Sequence, residues 1–162
     1  MANFKTEFYL KLIFIISLVS IIFAYFIEYV LGYQPCNLCL IERIPYGLSI
    51  VLIVLNYIFK IDDKFLILLL ILTFVFSFMI SAYHFGIEKG FLEESTICAI
   101  RNTTEIISKE ELLKELQTKT ISCKDVTFRI FGFSLTTINI IISLIIVILL
   151  SKILINYEKF KD

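Results

Sequence analysis

The chain has 162 residues, a formal net charge of zero, and 59% hydrophobic residues, against about 45–50% apolar for an ordinary soluble domain. Its mean hydropathy is +0.91, and the apolar residues cluster in runs, which excludes a wholly soluble domain and points to an integral membrane protein. The balanced charge without a basic patch argues against nucleic acid as a partner, and two prolines, five glycines and no internal repeat leave no linker.

In chain order, the first apolar run is Leu12–Ile27, and extended from Tyr9 to Tyr29 it covers 21 residues. At roughly 1.5 Å per residue that is about 31 Å, enough to cross a bilayer. Tyrosines at both ends suit the two interfaces. No small-residue cleavage pattern follows Ile27, so a retained helix over 9–29 is expected rather than a signal peptide.

After a short connection over 30–38 comes Pro35-Cys36-Asn37-Leu38-Cys39-Leu40-Ile41-Glu42-Arg43-Ile44-Pro45-Tyr46. The apolar run Ile44–Phe59 is too short to span alone, and starting it at Cys39 gives a span of 21 residues over 39–59. That places the cysteine pair at the membrane surface and Arg43 near headgroup depth, where a charge can snorkel. Pro45 then falls in the first turns, where its missing N–H does least damage. Cys-x-x-Cys closes too small a ring to be an effective structural staple, and its usual uses are redox exchange or metal capture. With Cys39 at a helix start, Arg43 lies at i+4 on the same face and favours the Cys39 thiolate.

A polar turn, Ile61-Asp62-Asp63-Lys64, leads to a third span over 65–85, with His84 near its exit. The long polar stretch 86–129 holds Cys98 and Cys123. Within it Ser108-Lys109-Glu110-Glu111 is a capping-box pattern, followed by Leu112, Leu113 and Leu116 on one face. This predicts a short amphipathic helix, lying on the membrane or packed on the loop itself. A fourth span over 130–151 and a polar tail complete the chain. Glu42 and Glu88 are expected to face headgroups or water. The fold class is therefore an all-α membrane protein, a four-transmembrane-helix bundle with a short Cys-x-x-Cys loop and a longer loop carrying the second cysteine pair.

Four spans put the first and third connections on one side of the membrane, so all four thiols share a face. Disulfides persist in exported compartments, which makes that face the outer one and the termini cytoplasmic. The lysines of the termini and the short turn agree with this orientation. Four cysteines on one surface could form structural disulfides, with Cys98 and Cys123 closing a sizeable loop, or a four-thiolate zinc site. Neither reading explains a basic residue one turn past a surface Cys-x-x-Cys, whereas thiol–disulfide exchange does.

Pro-Cys-Asn-Leu-Cys-Leu-Ile-Glu-Arg, the four-span layout and the order of the two cysteine pairs resemble the DsbB family of disulfide bond formation proteins. Tyr83-His84-Phe85-Gly86-Ile87-Glu88 and Phe131-Gly132-Phe133-Ser134 resemble the family's segments at the end of span three and the entry to span four. In vitamin K epoxide reductases the Cys-x-x-Cys comes after the loop cysteines, so the order here argues against them. The resemblance implies a dithiol–quinone oxidoreductase of the bacterial inner membrane, its cysteine loops periplasmic. A Cys98–Cys123 disulfide would be presented to a periplasmic, DsbA-like thioredoxin-fold oxidase. Cys123 would then attack Cys36 of a Cys36–Cys39 disulfide. Electrons would end on ubiquinone or menaquinone near Cys39, with Arg43 and His84 as quinone-binding residues and no metal. A thiolate metal-binding protein and a disulfide-stapled scaffold are the alternatives.

Overall fold

A computed structural model describes residues 4–60, 62–93, 123, 129–130 and 132–155. The elements are α1 (Phe4–Tyr29), a short α2 (Asn37–Ile41), α3 (Ile44–Phe59), α4 (Asp63–Glu88), a two-residue hairpin of β1 (Arg129–Ile130) and β2 (Phe133–Ser134), and α5 (Leu135–Ile155). Four stretches are long and apolar enough to cross a membrane: Thr6–Tyr29, Asn37–Phe59, Asp63–Glu88 and Leu135–Ile155. The all-α four-helix membrane fold expected from the sequence is therefore the fold observed. Cys98, the 108–116 segment and the tail after Ile155 lie outside the described residues.

The element ends follow from local chemistry. The second span is two helices, because the helix breaks at Glu42 and Arg43 before restarting with Pro45 in its first turn. Proline lacks the N–H that would bond the carbonyl four residues back, and its ring crowds that carbonyl. Helix α4 runs on to Glu88, beyond the expected residue 85, and stops in a Schellman motif. There Gly90 takes φ +74°, its N–H donates to the Ile87 carbonyl at 3.0 Å, and Phe91 N–H donates to the Gly86 carbonyl at 2.9 Å. Helix α5 begins at Leu135 rather than 130, because Arg129–Ile130 pairs antiparallel with Phe133–Ser134, with Gly132 before β2 at φ +86°. Ser134 Oγ accepts from the Thr137 N–H at 3.3 Å and caps α5.

Helix α4 packs on α5, α3 on α4, and α1 on α3. Leu66, Ile67, Leu70 and Phe74 of α4 meet Ile146, Leu150 and Ile153 of α5, with Leu10, Ile13 and Tyr46 closing the core. The outward positions are also apolar, among them Val19, Ile22, Val51, Ile58, Leu72 and Ile145. That is the pattern of a bundle whose solvent is lipid, where packing rather than a hydrophobic difference holds helices together.

Candidate redox site

The start of α2, the last turns of α4 and the first turns of α5 meet at one end of the bundle. Cys36 caps α2: its Sγ accepts from the Cys39 N–H at 3.3 Å. The one-turn helix that follows brings the Cys39 Sγ to 2.8 Å from the Cys36 Sγ, and both cysteines are free thiols. Little backbone movement separates this arrangement from a bonded pair. Cys36 is buried, whereas Cys39 is half-buried and Leu40 beside it is exposed.

From α4, His84 places Nε2 at 3.6 Å from the Cys36 Sγ and Nδ1 at 2.9 Å from Glu42 Oε1. Thr136 of α5 lies 3.4 Å from Nδ1, and its hydroxyl donates to Glu88 Oε1 at 2.6 Å. Glu42 Oε2 accepts from Asn139 Nδ2 at 3.0 Å, and the same amide donates to Ser81 Oγ at 2.7 Å. The Tyr46 hydroxyl donates to Asn139 Oδ1. A connected polar network thus runs inward from the thiols, with His84 2% and Glu42 8% exposed.

The Cys39 thiol donating to Cys36, and next His84, pull the Cys36 thiol down to about 5 from 9.0, against the opposing effect of its burial. The favoured thiolate among the described cysteines is therefore Cys36 rather than Cys39.

Arg43 and His84 both have partners within the protein. The Arg43 guanidinium turns back to α1, ion-paired with Glu28 and 5.0 Å over the Tyr25 ring. Both nitrogens of His84 are engaged inside the protein, by Cys36 and Glu42. Glu42, expected to face headgroups or water, is instead buried, because α2 breaks just before α3 and swings its carboxylate toward α4. Glu88 is tied to Thr136. Sequence reasoning gives no role to Thr136 or Asn139, and it marks Ser81 only as a polar residue of the third span; the available signal is a polar or ionisable group inside an apolar span, a functional position by default.

Cys123 is 3% exposed and packs with Cys36, Leu38 and Ile87, with Cys39 at the edge of the same cluster. It is disulfide-bonded; Cys98, its expected partner, lies outside the described residues. The parity expectation holds for Cys36, Cys39 and Cys123, which gather at one end of the bundle.

Cys36, Cys39 and His84 converge closely enough to suggest a metal site, their donor atoms within 4.8 Å of one another. Two thiolates on one tetrahedral zinc sit about 3.8 Å apart, given Zn–S near 2.3 Å. The sulfurs here are closer than that, which suits a redox pair better.

A family model described as disulfide bond formation protein DsbB matches residues 6–153. The chain belongs to the DsbB family. It is also similar to the uncharacterized protein RP370 of Rickettsia prowazekii (strain Madrid E), at 30% identity over 141 residues covering 86% of this chain and 82% of the relative. Like other DsbB proteins the chain is a multi-pass membrane protein with an oxidoreductase role in disulfide bond formation. The family is generally quinone-linked and works with a DsbA-type partner.

Proposed function

We propose that this DsbB-family chain reoxidises a DsbA-like thioredoxin-fold oxidase of the periplasm and passes the electrons to a membrane quinone. The observation that carries the reading is the clustering of Cys123, already in a disulfide, with the Cys36–Cys39 pair in one apolar patch at the membrane end. Exchange between two sulfur pairs needs that contact.

In the proposed relay the partner's thiolate attacks Cys98 of a Cys98–Cys123 disulfide, forming a mixed disulfide and releasing Cys123 as a thiolate. Cys123 attacks Cys36 of the Cys36–Cys39 disulfide, a Cys36–Cys123 bond forms, and Cys39 is released with the electron pair. When a thiolate next attacks Cys123 in that mixed disulfide, Cys36 leaves as a thiolate facing His84. Stabilising this leaving thiolate makes the Cys36–Cys39 disulfide a stronger oxidant, because it favours the reduced form.

The residues at the membrane side of the pair fit a quinone. Cys39 is the more exposed residue of the pair, and Leu40 and Ile44 next to it in sequence are exposed and apolar, which gives a lipid-dissolved molecule an approach to Cys39 from the bilayer. Arg43 uses one nitrogen on Glu28 and keeps further guanidinium donors for a quinone oxygen. Bound there, a quinone supplies a two-electron, two-proton acceptor.

The test mixes the purified chain with ubiquinone or menaquinone and a reduced DsbA-like protein, and follows quinone absorbance. Stoichiometric quinol formation is expected, and Cys39→Ser should abolish it. Continued quinone reduction by Cys39→Ser, or tight stoichiometric zinc on the reduced parent with no quinone reduction, overturns the reading.

A further inference from the structure

The geometry of the same site carries a more specific assignment, one that rests on the proposed thiol exchange. Two residues with no expected chemical role, Glu42 and Asn139, stand in line behind the single histidine of the chain. Glu42 spans the gap between them: Oε1 faces His84 Nδ1 at 2.9 Å, and Oε2 accepts from Asn139 Nδ2 at 3.0 Å. Asn139 is itself fixed, because its amide nitrogen also donates to Ser81 Oγ and its carbonyl accepts from Tyr46. With its carbonyl taken by a hydroxyl donor and its NH2 shared between two acceptors, the Asn139 side chain has one satisfied orientation.

We propose that Glu42, anchored by Asn139, is a positioning residue that holds the proton of His84 on Nδ1 and so leaves Nε2 to receive the proton of the Cys36 thiol. A carboxylate accepts only, so the ring nitrogen facing it must be the donor. Nε2 is then the nitrogen facing Cys36, at 3.6 Å. Whenever reduced Cys36 is present as a thiol, its proton moves to Nε2, giving a thiolate beside an imidazolium whose Nδ1–H still donates to Glu42. No other bond changes and no electrons move in this step. The arrangement is that of a nucleophile, a base and an orienting carboxylate, supplied by α2, α4 and the break before α3.

Glu42→Gln gives an asymmetric result, because Asn139 decides which way the new amide points. The Asn139 NH2 requires an acceptor, so the glutamine carbonyl turns toward Asn139 and its NH2 toward His84. Facing that NH2 across the shorter contact, with the Thr136 oxygen the more distant acceptor at 3.4 Å, Nδ1 then accepts, its proton moves to Nε2, and Nε2 can no longer take one from Cys36. A merely structural glutamate would not produce this inversion.

The experiment uses the full chain, labelled with 15N-histidine and held in lipid nanodiscs at pH 7, in both reduced and oxidised forms. One histidine gives one imidazole spectrum. In the parent, Nδ1 is expected to carry a proton in either redox state, whether or not Nε2 does. In Glu42→Gln, Nδ1 is expected bare and Nε2 protonated, with turnover falling about 10²-fold, the scale of a lost general base. Adding Asn139→Ala to Glu42→Gln frees the amide to rotate, and a mixture of the two ring forms should appear. A parent spectrum with bare Nδ1 overturns the assignment without any variant, as does a Glu42→Gln spectrum with Nδ1 still protonated. These spectra decide the matter even if the parent reduces no quinone, an outcome that would overturn the proposed function alone.

Discussion

The two ends of the bundle are built on different rules. The half away from the cysteines is held by aliphatic and aromatic packing around Phe74, Leu70 and Ile146, its fully buried polar residues being small hydroxyls such as Ser17, Ser49, Ser77 and Ser143. The cysteine end buries a glutamate, a histidine, an asparagine and a tyrosine in one hydrogen-bonded chain. Ionisable groups at membrane depth are expensive, so an end that carries them is shaped by its chemistry, and the other end supplies the rigid frame. The contrast makes a sharp demand: damage to the frame should change stability with little effect on thiol chemistry, whereas damage to the cysteine end should change thiol chemistry, and stability as well where it orphans a buried polar group.

The largest effect expected on stability is Phe74→Ala. Phe74 is fully buried and edge-on to Tyr46 at 5.7 Å between ring centroids. Truncation removes a large side chain from a packed core and should cost about 3 kcal/mol or more, read as a lower midpoint in detergent-mediated unfolding. The pH at which Cys36 alkylation falls to half should stay near 5. A shift of that midpoint along with the stability would show that the two halves are not separable.

Titration of Cys36 sharpens the comparison from the other side. In the reduced parent, alkylation should hold down to about pH 5 and fall below it. The thiol is depressed on folding, so its contribution to the reduced fold is complete above pH 9.0 and is lost as pH falls through about 5. Both Cys39→Ala and His84→Ala should move the midpoint upward. Cys39→Ala should move it further, since the Cys39 thiol is the larger cause and His84 the smaller. The reverse order would move the main stabilising contact from the neighbouring sulfur to the imidazole.

Much of the fold was legible because spans are set by length and hydropathy, two quantities a single sequence carries in full. The four crossings and the cysteine-bearing end follow from them, and Cys36, Cys39 and Cys123 do meet. The side-chain partnerships were less legible. Arg43 at i+4 from Cys39 looks like its partner on a continuous helix, but Pro45 interrupts the helix and Arg43 reaches Glu28 instead. Counting crossings puts His84 at the same end of the bundle as the Cys-x-x-Cys segment, but its neighbours come from α2 and α5, whose rotations about their axes no residue pattern fixes. Asn139 is hard to single out for a related reason: a few polar residues scattered along a mostly apolar helix define no face until the helix is packed.

The smallest expected effect tests the contrast within one helix. Asn139 and Ser143 lie one turn apart on α5, and both make hydrogen bonds to α4. Ser143→Ala should cost only about 0.6 kcal/mol, the average for such interhelical bonds in membranes. The Ser77 hydroxyl it leaves behind has an alternative within reach of its own helix. Thr73 and Ser81 already show it, donating to the carbonyls of Leu69 and Ser77 four residues back, each at 2.9 Å. Asn139→Leu leaves no such retreat, because Glu42 Oε2 loses its donor and the Tyr46 hydroxyl loses its acceptor in buried surroundings. An orphaned buried group costs about 1–3 kcal/mol, more when charged, so the asparagine change should cost several times the serine one in the same unfolding measurement. Equal costs would mean that the polar chain beneath the cysteines is no more constrained than the serine contacts of the frame, and the division between the two halves would lose its energetic basis.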